Sequence, residues 1–196
     1  MFMNNLLRGK QTQSQSETSN TDFYGILNVD EPDIATNSAS IIVSGDATEF
    51  EDIEFYINNV KVDTAKVKSN GTFSQEIGKL RSGTNKVYVL ASTKDGKNEK
   101  QSESYSVTFM NEPPELEIES PHEGDKTSKN EIQVKGKTAK DVSVHINNQP
   151  VVVGFEGSFS RTVRLNEGEN TITIIATDIA GNTEEQQIKV IYEKDE

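Results

Sequence analysis

The sequence predicts an all-β chain of two tandem antiparallel β-sandwiches behind a disordered N-terminal arm. Three observations carry that prediction. The chain reads as two copies of one pattern. Inside each copy, apolar residues recur with a period of two. Turn-forming residues rich in Asn and Gly separate the apolar blocks at short intervals.

The arm comes first, over residues 1–27. Its stretch KQTQSQSETSNT, Lys10 to Thr21, is polar and low in complexity. Such a composition buries too little apolar surface to offset the entropy of ordering the chain. The preceding MFMNNLLRG lacks the charged start, apolar centre and small-residue cleavage site of a secretory leader. Two readings stand: the tail end of a membrane anchor lying upstream, or an ordinary disordered start.

The first sandwich is expected over residues 28–110 and the second over 114–194. Their blocks match in order. SIIVSG (40–45) pairs with EIQVKG (131–136), and IEFYINN (53–59) with VSVHINN (142–148). GTF (71–73) pairs with GSF (157–159), and LRSGTN (80–85) with LNEGEN (165–170). VYVLAS (87–92) pairs with ITIIAT (172–177), and YSVTF (105–109) with IKVIY (188–192). Within the blocks, Ile53, Phe55 and Ile57 alternate with polar neighbours, as do Val142, Val144 and Ile146. That alternation marks strands with one face on a core. The predicted cores centre on Ile41, Val43, Phe55, Ile57, Phe73, Val89 and Val107, and on Ile132, Val134, Val144, Ile146, Phe159, Val163, Ile174 and Val190.

Asn58-Asn59 and Asn147-Asn148 each join two strands, and Asn tolerates the positive φ of a tight hairpin. Met110 to Glu115 separates the repeats. Its Pro113-Pro114 favours an extended path, so the two sandwiches are expected end to end as a semi-rigid rod.

Composition excludes several function classes. The net charge is −12, against the basic patches that nucleic acid requires. With no Cys, disulfide scaffolds and thiolate metal sites are ruled out. The longest apolar run, Val87 to Ala91, is far too short to span a bilayer, so a membrane association would need an anchor outside this chain or at its start.

The run from Pro114 to Tyr192 contains EIQVKGKT, VSVHINN and GSFSRTVRLNEGENTITIIATDIAGN. It resembles the bacterial immunoglobulin-like domains found in tandem on cell-surface and secreted proteins, including the accessory sandwich of glucodextranase-type enzymes. Gly136, the INN turn, GSF, Leu165-x-x-Gly168-x-Asn170 and the hairpin Ala176 to Asn182 carry the resemblance. The first repeat departs from it at Ser92 to Gly96. The resemblance implies immunoglobulin-like sandwiches and an extracytoplasmic spacer, adhesion or substrate-contacting module without its own catalysis.

The candidate chemistry fits that implication. His122, in a loop, and His145, on the polar side of a strand, belong to different places in the fold, so no nucleophile–base pair is expected. No phosphate-binding Gly loop occurs. Calcium is the one cofactor the acidity admits, at Glu112, Glu115 and Glu117 beside the linker, at Asp46, Glu49, Glu51 and Asp52, or at Asp178. The alternative for these acids is a solvated, repulsive surface. Sugar stacking would fall to Phe155, in the Gly-flanked loop 153–157, and to Tyr56 beside the INN turn. Asn70-Gly71-Thr72 has the form of a glycosylation acceptor but reads better as a turn. The expected function is a non-enzymatic, semi-rigid acidic spacer or adhesion module of a bacterial cell-surface protein. Its partner would be a protein or a cell-wall polysaccharide. The alternative is a carbohydrate-binding accessory module using Phe155 and Tyr56.

Overall fold

The computed structural model describes residues 23–195, and the chain is β throughout that span. In the first repeat the strands are β1 (Ile26–Val29), β2 (Ala35–Thr36), β3 (Ser40–Thr48), β4 (Asp52–Ile57), β5 (Val60–Lys66), β6 (Thr72–Gly78), β7 (Gly83–Ser92), β8 (Glu99–Gln101) and β9 (Tyr105–Phe109). In the second they are β10 (Leu116–Ser120), β11 (Lys126–Thr127), β12 (Glu131–Thr138), β13 (Ser143–Ile146), β14 (Gln149–Val151), β15 (Ser158–Arg164), β16 (Gly168–Thr177) and β17 (Thr183–Tyr192).

Each repeat is a sandwich of two sheets. The sheet β1-β3-β6 faces β2-β9-β7-β4-β5, with β8 added alongside β7. The sheet β10-β12-β15 faces β11-β17-β16-β13-β14. The first stretch of each sandwich serves both layers. Thus β1 and β10 pair antiparallel in one sheet, while β2 and β11 pair parallel with the last strand of the other. This is the immunoglobulin-like arrangement of two antiparallel sheets over one core.

The two cores are separate. One gathers Phe55, Phe73, Ile53, Ile77, Val87, Val89 and Val107, and the other Val134, Val144, Ile146, Phe159, Ile172, Ile174 and Val190. Two residues expected at the centre, Ile41 and Ile132, are only partly buried. They lie at the starts of β3 and β12 and pack against the edges of the two clusters. The boundary of the arm also needs correction. Ile26 and Leu27, assigned to it from sequence, begin β1, with Leu27 opposite Ala47 and buried. Leu27 and Val29 alternate on one face and pack against the first core. The rest of the arm that was read as disordered, residues 1–22, lies outside the described residues.

The repeated motifs prove to be turn hardware. Asn58, Asn59, Asn147 and Asn148 have φ of 51°, 64°, 48° and 61°, the left-handed pair of a two-residue hairpin. Asn58 Oδ1 also accepts from the Lys86 amide, and Asn147 Oδ1 from the Thr173 amide, both at 2.9 Å, so each turn is tied to the adjacent strand. In L-x-x-G-x-N, Leu80 and Leu165 are buried, while Asn85 and Asn170 hold the loop through side-chain hydrogen bonds. A Cβ on Gly136 would lie 2.4 Å from the Glu117 carbonyl and 2.5 Å from the Phe159 ring. The glycine is there because strand and ring both approach it.

Candidate functional site

A concave feature lies where the repeats meet. A cleft of about 600 Å³ is lined by Phe109, Met110, Pro113 and Pro114 from the end of β9 and the linker, and by Val142 and Ile179 from the second repeat. Ala139, Lys140 and Asp141, in the β12–β13 turn, form another wall. The wall is fastened by the hairpin between β16 and β17. Asp178 is buried and accepts from the amides of Ala180 and Asn182, both at 2.9 Å. The Asn182 side-chain nitrogen donates to the other Asp178 oxygen and to the Met110 carbonyl, each at 2.9 Å. One side chain thereby closes its own hairpin and grips the linker.

This spends Asp178, one of the residues named for calcium. The others are also dispersed. Glu51 and Asp52 pair with Lys66, and Glu112, Glu115 and Glu117 are exposed along the chain entering β10. Among the described residues, no group of three or more His, Asp or Glu side chains converges as a metal site would require.

Phe155 and Tyr56 are not brought together. Phe155 stands in the loop between β14 and β15, 87% exposed, with the Lys140 ammonium 5.5 Å from its ring centre. Because Lys140 also lines the cleft, the ring belongs to the linker end of the second repeat. Tyr56 is on β4 of the first repeat, directly across from Tyr88 on β7. The two rings are parallel within 3°, with centres 4.9 Å apart. Each gives one face to the other, and the Lys86 ammonium lies 5.8 Å from the Tyr88 ring centre. The Tyr56 hydroxyl donates to Glu54 at 2.7 Å, and Lys61 bonds the other Glu54 oxygen. The hydrogen bond to Glu54 pushes the Tyr56 hydroxyl up to about 12. Lys61 and Tyr56 hold the Glu54 carboxyl below its usual range. Tyr88 escaped the sequence analysis because only cross-strand register pairs it with Tyr56.

No acid–base constellation forms around the histidines. His122 is exposed in the turn before β11 and lies 3.8 Å from Asp125. His145 sits within β13 between Ile175 and Pro150 of the neighbouring strands. The displaced carboxyls, Glu54 and Asp95, both move down, opposite to the shift a general acid needs. The Asn70 side chain accepts from the Thr72 amide and hydroxyl, so the sequon is a closed turn.

Residues 114–193 match the family described as glucodextranase, domain B. The match falls on the second repeat. Bacillopeptidase F of Bacillus subtilis (strain 168) is 34% identical over 163 residues, a match covering 81% of this chain. The chain spans only 11% of the length of that relative. Among solved structures, the fibronectin(III)-like modules of Clostridium thermocellum CbhA superpose with a TM-score of 0.56 at 14% identity. That match covers 86% of this chain and 95% of theirs, and it establishes a common fold. Among the described residues, no helix is long and apolar enough to cross a membrane.

Proposed function

We propose that the chain is a non-enzymatic, extracytoplasmic spacer and adhesion module of a bacterial surface or secreted protein. Two sandwiches joined through a fixed junction would hold a partner-binding or catalytic part of a larger protein at a set distance. The observation that carries this reading is the Asn182 clamp on the Met110 carbonyl, three residues before Pro113-Pro114. A linker gripped by the next repeat transmits orientation, whereas a free tether does not. The short match to a much longer peptidase supports a part in a multidomain protein. The net charge of −12 supports solubility and repulsion between neighbouring copies. Small-angle X-ray scattering of the full chain tests the reading. A scattering curve fitted by one extended arrangement supports it, and one that requires a broad ensemble of inter-repeat angles refutes it.

A second reading, contact with a carbohydrate, is favoured by the exposure of Phe155. A pull-down on insoluble cell-wall polysaccharide decides it: retention lost on Phe155→Ala supports the reading, and no retention excludes it. The Tyr56 pair is a weaker candidate, since stacking already occupies one face of each ring.

A further inference from the structure

The two repeats treat the same pole of the sandwich in opposite ways. In the first, the turn between β3 and β4 carries Phe50, which is buried, and Phe23 packs against it edge-to-face at 5.3 Å. Phe23 comes from the segment that leads into β1. An aromatic side chain of the approach segment, still partly exposed, thereby packs over the turn at that pole.

In the second repeat both rings are missing. Between the matched positions Gly45 and Ile53 the first repeat has seven residues, whereas between Gly136 and Val142 the second has five, with Ala139-Lys140-Asp141 at the turn and no ring among them. Leu27 and Leu116 pair with equivalent residues, Ala47 and Thr138, so counting back from them places Glu112 where the first repeat has Phe23. The cleft of about 600 Å³ opens at this unplugged pole, with apolar walls from Phe109, Pro114, Val142 and Ile179. Its size lies within the range of binding pockets, roughly 300–1,000 Å³. Around it stand Glu112, Glu115 and Asp141, while Lys140, the one cation among the described lining residues, is drawn over the Phe155 ring.

We infer that this cleft binds a single aromatic side chain of a partner polypeptide, presented in an extended segment with basic flanking residues. The apolar walls take the ring as the first repeat takes Phe23. The acidic rim selects the flanks, because opposite charges near a partly desolvated surface steer and orient a partner. The inference deepens the adhesion reading and rests on it, by naming the chemistry of a contact.

The test is an NMR titration of the full chain with three blocked tripeptides: Lys-Phe-Lys, Lys-Ala-Lys and Glu-Phe-Glu. The Lys-Phe-Lys peptide is expected to shift the signals of Val142, Ile179 and Met110 in a saturable way. Removing the ring should weaken binding by about tenfold or more, from the apolar area lost. Ala139→Phe, an exposed position that supplies the missing plug, should abolish the shifts and leave the rest of the spectrum intact. Equal shifts from the Lys-Ala-Lys peptide, or unchanged binding by Ala139→Phe, would overturn the ring site. Equal affinity for Glu-Phe-Glu would overturn the basic partner. Scattering without peptide tests the spacer reading by itself, so either can fail while the other stands.

Discussion

The first repeat puts rings into its core and packs Phe23 over Phe50 at its outer pole, whereas the second has an aliphatic core and a pole that meets the linker. Phe55 and Phe73 lie edge-to-face in the first core at 6.1 Å, but Phe159 is the only ring among the buried described residues of the second. What the repeats share is the set of residues that fixes turns: INN, L-x-x-G-x-N, and the glycine beneath a phenylalanine. The comparison teaches that the common residues hold the frame. The junction is built where the copies differ.

The largest effects should come from the cores. Phe73→Ala and Phe159→Ala should each cost about 3–5 kcal/mol. Phe73→Ala should be the worse by about 1 kcal/mol, because it also breaks an aromatic pair. Urea unfolding followed by signals from each repeat measures both, and equal costs would erase the distinction drawn between the cores.

The loop asparagines come next. Asn85, fully buried, donates to the carbonyls of Arg81 and Gly83 and accepts from the Arg81 amide and the Asn58 side chain. Asn170 makes the same loop bonds without a link to the INN turn. Asn85→Ala should cost about 2–3 kcal/mol and Asn170→Ala about 1–2 kcal/mol, the excess being the unpaired groups left behind. The same unfolding curves check the order.

A smaller effect tests the outer face of the first repeat. Tyr56 should titrate near 12, and Glu54→Gln should return it toward 10, read by tyrosinate absorbance. A raised hydroxyl contributes stability that is present below its unfolded value and lost as pH rises toward 12. The lowered Glu54 does the reverse: its contribution is present above the unfolded carboxyl value of 4.5 and fades as pH falls below it. An unshifted Tyr56 would show that the Glu54 bond is not held in solution.

Much of the frame is legible in the sequence because it is local. A positive φ at Asn147, or a ring crowding Gly136, leaves its mark within a few residues. The start of β1 is not legible, since Leu27 gains its place from pairing with β3 and from the first core, both formed by residues further along the chain. The same holds for the site. Phe155 stands out from its glycine-flanked loop, but Asn182 reads as one more turn residue. Its bond to Met110 spans the junction, and the cleft draws its walls from the first repeat, the linker and the second repeat together. An absent Phe50 has no signature in a single repeat. It emerges from setting the copies side by side.

The central claim is that the junction is fixed by the clamp. The chain has no Cys, so Ser74→Cys and Ser160→Cys, exposed on β6 and β15, give two unique spin-label sites. Double electron–electron resonance should give one narrow distance distribution, which Asn182→Ala should broaden with little loss of stability. A distribution already broad with Asn182 in place would contradict the account.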